Sequence, residues 1–180
     1  MDILSMLMEQ LGGSQAHKDL DVSPDMFKSA AGLALPEILA SLQRNASTQE
    51  GAESLSRALD DHVDDPMSLD SLVKGLDRDD SSKMLDHIFG NRKSEVESQI
   101  EQKTGLPRAK TSTLLLILAP LVLSMLSKKK KAENLQPADL PDLTKELSGK
   151  SGGLLDLAKQ VLDKDKDGSI VDDLLGGLFK

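Results

Sequence analysis

Hydrophobic residues recur along this chain at the spacing of amphipathic helices. The first such segment, residues 2 to 11, places five apolar residues on one helical face: Ile3, Leu4, Leu7, Met8 and Leu11. The glycine pair at positions 12 and 13 ends this predicted helix. Strands favour aromatic and β-branched residues, whereas this chain has no Trp, no Tyr and three Phe. The pattern therefore favours helices.

Capping residues mark where further helices begin and end. Ser23 followed by Pro24 is typical of an N-cap with proline at the first helical position. Ser81 can cap a segment whose apolar residues lie between positions 84 and 89, and a later helix is predicted to end at Gly105. Short capped helices with brief connections predict an all-α, multihelical bundle.

Two leucine-rich segments resemble each other. "LALPEILASL" (33–42) and "ILAPLVLSML" (117–126) both carry proline as their fourth residue, so that Pro36 aligns with Pro120. This similarity predicts a tandem duplication in which each half is centred on a proline-bearing core helix. Chance similarity between leucine-rich helices is the alternative.

The longest uncharged stretch, residues 111 to 127, raises the question of a membrane segment. Its apolar centre runs only from 114 to 126 and contains Pro120. A membrane-spanning helix needs about 20 apolar residues, and shorter runs more often form buried helices. We therefore predict a buried helix and keep membrane insertion as the alternative.

The composition changes after residue 131. Residues 132–153 contain two prolines, a short helical stretch near 139–147 and a Gly/Ser-rich end, which predicts a connector. Apolar residues return to helical spacing at 154–162 and lead into an acidic stretch. The predicted organisation is a helical domain (1–131), a connector (132–153) and a C-terminal segment (154–180) with a helix and an EF-hand-like loop.

Three short segments, in this order, resemble the YidB-like family of bacterial proteins of unknown function. They are HIFG at 87–90, TGL at 104–106 and LAPLVL at 118–123. The resemblance covers most of the chain and includes the acidic C-terminal stretch. It implies a multihelical soluble fold, and it brings neither a catalytic residue nor an assigned activity.

The net charge of −8 and the isoelectric point of about 4.9 oppose nucleic-acid binding, which depends on neutralising phosphates. The exception is the run of four lysines at 128–131. Cations at a helix C-terminus face the carbonyl dipoles, so we interpret this run as the solvated end of a helix. A DNA-associated module is the weaker alternative.

Little in the sequence indicates catalysis. The chain has no cysteine, and His17, His62 and His87 lie in different segments without a nucleophile–base arrangement. We therefore expect no enzymatic activity. The first residues lack the basic start and long apolar core of a signal peptide, so a cytoplasmic location is expected.

The stretch "DKDKDGSIVDD" (163–173) begins as an EF-hand calcium loop does. EF-hand ligands occupy positions 1, 3, 5, 7, 9 and 12, with glycine at position 6. The sequence supplies aspartates at the first three positions, glycine at the sixth and a backbone carbonyl at the seventh. Position 12 is Leu174 instead of glutamate, so a nearby aspartate must replace it. The candidate Ca²⁺ ligands are Asp163, Asp165, Asp167, Ser169, Asp172 and Asp173. A soluble acidic turn is the alternative.

These features predict a non-enzymatic helical interaction or structural protein with a weak calcium-binding loop. Apolar helix faces beyond the needs of a small bundle would serve a protein partner or self-association. A membrane-associated helical protein using residues 111–127 is the second hypothesis, and the DNA-associated module is the third.

Overall fold

The computed structural model describes residues 3–154 and 156, and within them it contains helices and no strand. The helices are α1 (Ile3–Gly13), α2 (Ala16–Asp19), α3 (Pro24–Ala46), α4 (Gln49–Asp61), α5 (Leu69–Lys74), α6 (Arg78–Phe89), α7 (Lys93–Thr104), α8 (Arg108–Glu133) and α9 (Leu140–Lys150). Short 3₁₀ helices occupy Gly90–Arg92 and Pro137–Asp139. The all-α, multihelical prediction is confirmed, while the tandem duplication stays a prediction.

Helix ends mostly follow the capping signals in the sequence. The Ser23 hydroxyl accepts a hydrogen bond from the Met26 amide at 3.2 Å, and Pro24 is the first residue of α3. Helix α7 ends before Gly105, whose φ of 74° lies in the left-handed region that glycine adopts without strain. Both predicted helix ends are confirmed.

The predicted cap at Ser81 is wrong. Helix α6 begins at Arg78, and the carboxylate of Asp77 accepts a hydrogen bond from the Asp80 amide at 3.0 Å. Aspartate is as effective an N-cap as serine. The acidic residues in the first turn of α6 stabilise the helix further, because their negative charge faces the positive end of the helix dipole. The helix therefore starts one turn earlier, and Ser81 lies buried within it.

Helix α8 is the centre of the bundle. Every residue from Leu114 to Ser127 is buried, and α1 and α3 to α7 all pack against this helix. An 18-residue window within α8 has a mean hydropathy of 1.8, so the helix is long and apolar enough to cross a membrane. In the described structure, 78% of that window is buried inside the protein.

Helix α9 packs against α3, with further contacts to α4 and α1. Its apolar residues Leu140, Leu143 and Leu147 are buried because a spacing of three and four places them on one helical face. The segment predicted to be a connector thus includes a helix that covers part of the core. Leu154, just beyond it, is only 1% exposed.

Removing core volume from α8 should destabilise the fold. Leu118 is 0% and Leu123 4% exposed, so Leu118→Ala or Leu123→Ala should lower the free energy of unfolding by about 2–5 kcal/mol. Urea denaturation monitored by circular dichroism measures the change. Met8→Ala is the control, because Met8 is 38% exposed and its loss should cost less than about 1 kcal/mol. Unchanged stability in both leucine variants would contradict this packing.

Candidate functional site

The predicted calcium ligands lie outside the described residues. These are Asp163, Asp165, Asp167, Ser169, Asp172 and Asp173. Within residues 3–154 and 156, no group of three or more His, Asp or Glu side chains could hold a metal ion.

The structure does describe the chain between α9 and Leu154, which precedes that loop in the sequence. After α9, the amide of Leu154 donates a hydrogen bond to the Ser151 carbonyl at 3.0 Å, and the Leu154 side chain joins the hydrophobic core. Because α9 is packed on α3, the chain is attached to the bundle up to the start of the 154–162 segment.

A cleft of about 640 Å³ lies between α4 and α6. Helices α4 and α6 both pack against α3 and α8. Leu42 of α3 and Leu123 of α8 form the bottom of the cleft. Leu55 of α4 and Met84 and Ile88 of α6 extend this apolar lining. The cleft is thus a slot between two helices that stand on a common base.

Charged and polar side chains form the rim of the cleft. Glu50, Asp61 and Asp80 are exposed there, together with the exposed Lys83. None of the three carboxylates forms an ion pair within the described part of the chain. The rim is therefore acidic in balance.

Two of the three histidines lie at this cleft although they are distant in sequence. His87 is exposed on α6, and His62 follows α4, where its Nδ1 lies 2.6 Å from the Asp65 carboxylate. His17 lies elsewhere, with Nδ1 3.3 Å from the Ser14 carbonyl. No local sequence pattern joins His62 to His87, because their proximity depends on which helices become neighbours. Knowledge of the α4–α6 arrangement would have been needed to predict it.

The end of α3 and the start of α4 close one end of the cleft. The Asn45 amide donates hydrogen bonds to the carbonyls of His87 and Ile88, at 3.0 and 3.1 Å, at the C-terminal end of α6. Gly51 comes so close to the Asn45 carbonyl that a Cβ atom there would lie 1.7 Å from its oxygen. Close backbone contact, and not a positive φ, requires glycine at this position.

The lysine run ends α8, as predicted, but several of its members contact protein groups. Lys128 donates to the Asp65 carbonyl at 3.1 Å, and Lys130 pairs with the Asp60 carboxylate. Two serines one turn earlier act similarly, since Ser124 donates to the Asp65 carbonyl at 3.0 Å and Ser127 to the Leu59 carbonyl. These side chains thus contact the last turn of α4, at Leu59 and Asp60, and the segment that follows it, at Asp65.

A known protein family matches most of the chain. It is described as bacterial protein of unknown function (DUF937), and the match covers residues 2–129. The chain belongs to the DUF937 family. The match agrees with the YidB-like resemblance and extends from α1 into α8, so α9 and the acidic loop lie outside the matched residues. No curated protein and no solved structure matches the chain.

Membership of DUF937 assigns no role to any residue, so the site rests on its geometry alone. The α4–α6 cleft joins an apolar base to an acidic rim and is therefore the candidate site.

Gly51→Ala tests the closed end of the cleft. The added Cβ would collide with the Asn45 backbone oxygen, so α4 must shift and stability should fall by about 1–3 kcal/mol. The control is Gly12→Ala in α1, where a Cβ would meet nothing within 4 Å. That substitution should leave stability unchanged or raise it by up to about 1 kcal/mol, since alanine favours helices. Equal melting temperatures for the two variants would contradict the close approach at Gly51.

Proposed function

We propose that this DUF937 protein is a non-enzymatic interaction protein that binds a partner in the α4–α6 cleft. The observation that carries the proposal is a slot with Leu42, Leu55 and Leu123 at its base and unpaired carboxylates on its rim. Protein-binding surfaces combine an apolar centre with a polar periphery in this way. The rest of the bundle supplies a rigid support for the two helices that form its walls.

The C-terminal loop is proposed to bind Ca²⁺ weakly. Support comes from the three alternating aspartates, Asp163, Asp165 and Asp167, followed by glycine. Carboxylates held this close repel one another, and a divalent cation reverses the repulsion. Without glutamate at position 12, the dissociation constant is expected at about 10⁻⁵ to 10⁻³ M.

Because the chain is attached to the bundle up to Leu154, we expect calcium binding in the loop to be coupled to the stability of the core. Leu154 is buried at the start of the segment that leads into the loop, and α9 immediately before it packs on α3 and α4. Calcium at about 100 times its dissociation constant would then stabilise the coupled fold by about 2.7 kcal/mol.

The two other hypotheses receive less support from the described residues. Membrane association through α8 would require the bundle to open, because residues 114–127 are buried. DNA association through the lysine run would compete with the contacts that Lys128 makes to Asp65 and Lys130 makes to Asp60. Protein binding in the cleft requires neither rearrangement.

Co-purification from the source bacterium tests the interaction. Ala58 lines the cleft on α4 and is only partly buried, so Ala58→Arg should fill the slot and remove the partner. Ala132→Arg adds the same charge at an exposed position near the end of α8 and should retain it. Running both variants with calcium and with a chelator shows whether the tail affects binding. Identical sets of bound proteins for wild type and Ala58→Arg would refute binding in the cleft.

Calorimetry and thermal denaturation of the full chain test the calcium proposal. Asp163→Ala and Asp167→Ala should each abolish the heat of binding, because each removes a ligand from a site that already lacks one. Asp172→Ala and Asp173→Ala identify the carboxylate that replaces glutamate. Asp142→Ala, an exposed aspartate of α9, is the control and should bind calcium as wild type does. Absence of heat and of a thermal shift at millimolar calcium would leave the loop as an acidic turn.

A further inference from the structure

The length of the cleft matches about two turns of a helix. Ser54, Ala58 and Asp61 line one wall at a spacing of four and three residues along α4. The opposite wall repeats this spacing on α6 with Asp80, Met84 and His87, and Lys83 lies next to Met84. Each set spans about two helical turns, or about 10 Å. A third helix laid between α4 and α6 would present about two turns to the apolar base.

Charge narrows the chemistry of the occupant. Glu50 and Asp61 lie on the α4 side and Asp80 on the α6 side, and Lys83 is the cation among the lining residues. Because these carboxylates are exposed and without ion-pair partners in the described chain, they remain available to a cation from outside. A second copy of this chain is disfavoured, since its net charge of −8 would meet an acidic rim.

We propose that the α4–α6 slot binds an amphipathic helix of another protein, with apolar residues facing the base and lysine or arginine residues facing the rim. This inference rests on the proposed function and specifies the partner for the same site. Helix-in-groove binding of this kind is read through apolar residues at helical spacing. Ala58 and Met84, which are only partly buried, receive the apolar face above the buried Leu42 and Leu123. Asp61 and Asp80 pair with the flanking cations.

The affinity for a basic helix should depend on ionic strength. Ion pairs on a solvent-exposed rim are screened by salt, whereas contacts with the apolar base are not. The affinity should therefore fall as salt is raised to about 0.3 M, and the Asp61→Asn/Asp80→Asn variant should lose most of that dependence.

Two labelled peptides of about 14 residues test the partner class, a length at which isolated helices become marginally stable. Both place leucines on one helical face. The other face carries lysine in the first peptide and glutamate in the second. Fluorescence anisotropy with the full-length chain measures both affinities. The lysine peptide should bind at least about tenfold more tightly than the glutamate peptide.

Substitutions then locate the binding. Ala58→Arg should weaken the lysine peptide by about tenfold or more, while the charge-matched Ala132→Arg should stay within about twofold of wild type. Ser54→Arg, at an exposed lining position, is the second variant if Ala58→Arg does not fold by circular dichroism. Equal affinity for the two peptides, or equal loss in the slot variants and Ala132→Arg, would overturn the proposal.

Two further results separate this inference from the proposed function. Co-purification that depends on Ala58, with no binding of the lysine peptide, would refute the basic helix and leave the interaction function standing. Sedimentation equilibrium showing a dimer that Ala58→Arg dissociates would make a second copy the occupant and refute the basic helix. A monomer that binds the lysine peptide in the slot supports both.

Discussion

The apolar surface of α8 is the constraint on which the rest of the structure depends. A helix that is hydrophobic on every side must be covered on every side, and here α1 and α3 to α7 cover it. Helices α4 and α6 occupy separate parts of that surface and also rest on α3. The cleft between them follows from this arrangement, because both walls pack against the same base.

The polar end of α8 complements its apolar centre. Helix C-termini leave carbonyl groups without intrahelical partners, and leaving them buried and unpaired would cost free energy. Ser124, Ser127 and Lys128 bring donors to carbonyls at Leu59 and Asp65. The same helix that buries α4 through apolar contact thus also makes polar contacts to the last turn of α4 and to the segment after it. Both kinds of contact hold one wall of the cleft against α8.

Local features of the fold could be predicted from the sequence, and features that depend on helix neighbours could not. The cap at Ser23 and the stop at Gly105 follow from rules that involve a few adjacent residues. The start of α6 could not be predicted in this way, because Asp77 and Ser81 are both good caps and lie one turn apart. The cleft brings Asp61 and His87 to one site only after α4 and α6 have been placed on α8.

Helix α9 is where the two proposed binding events meet. It packs against α3, which forms part of the base of the cleft, and against α4, which forms one wall. Buried Leu154 follows α9 and precedes the acidic loop in the sequence. Coupling between two binding sites is reciprocal in free energy. If calcium binding changed the affinity for the partner through a shift in α4, partner binding would change the affinity for calcium by the same factor. Since α9 lies outside the residues that match DUF937, while the residues that line the cleft lie within them, the proposed binding in the cleft does not itself require α9. Regulation by calcium would then be a property that the C-terminal segment adds to the bundle.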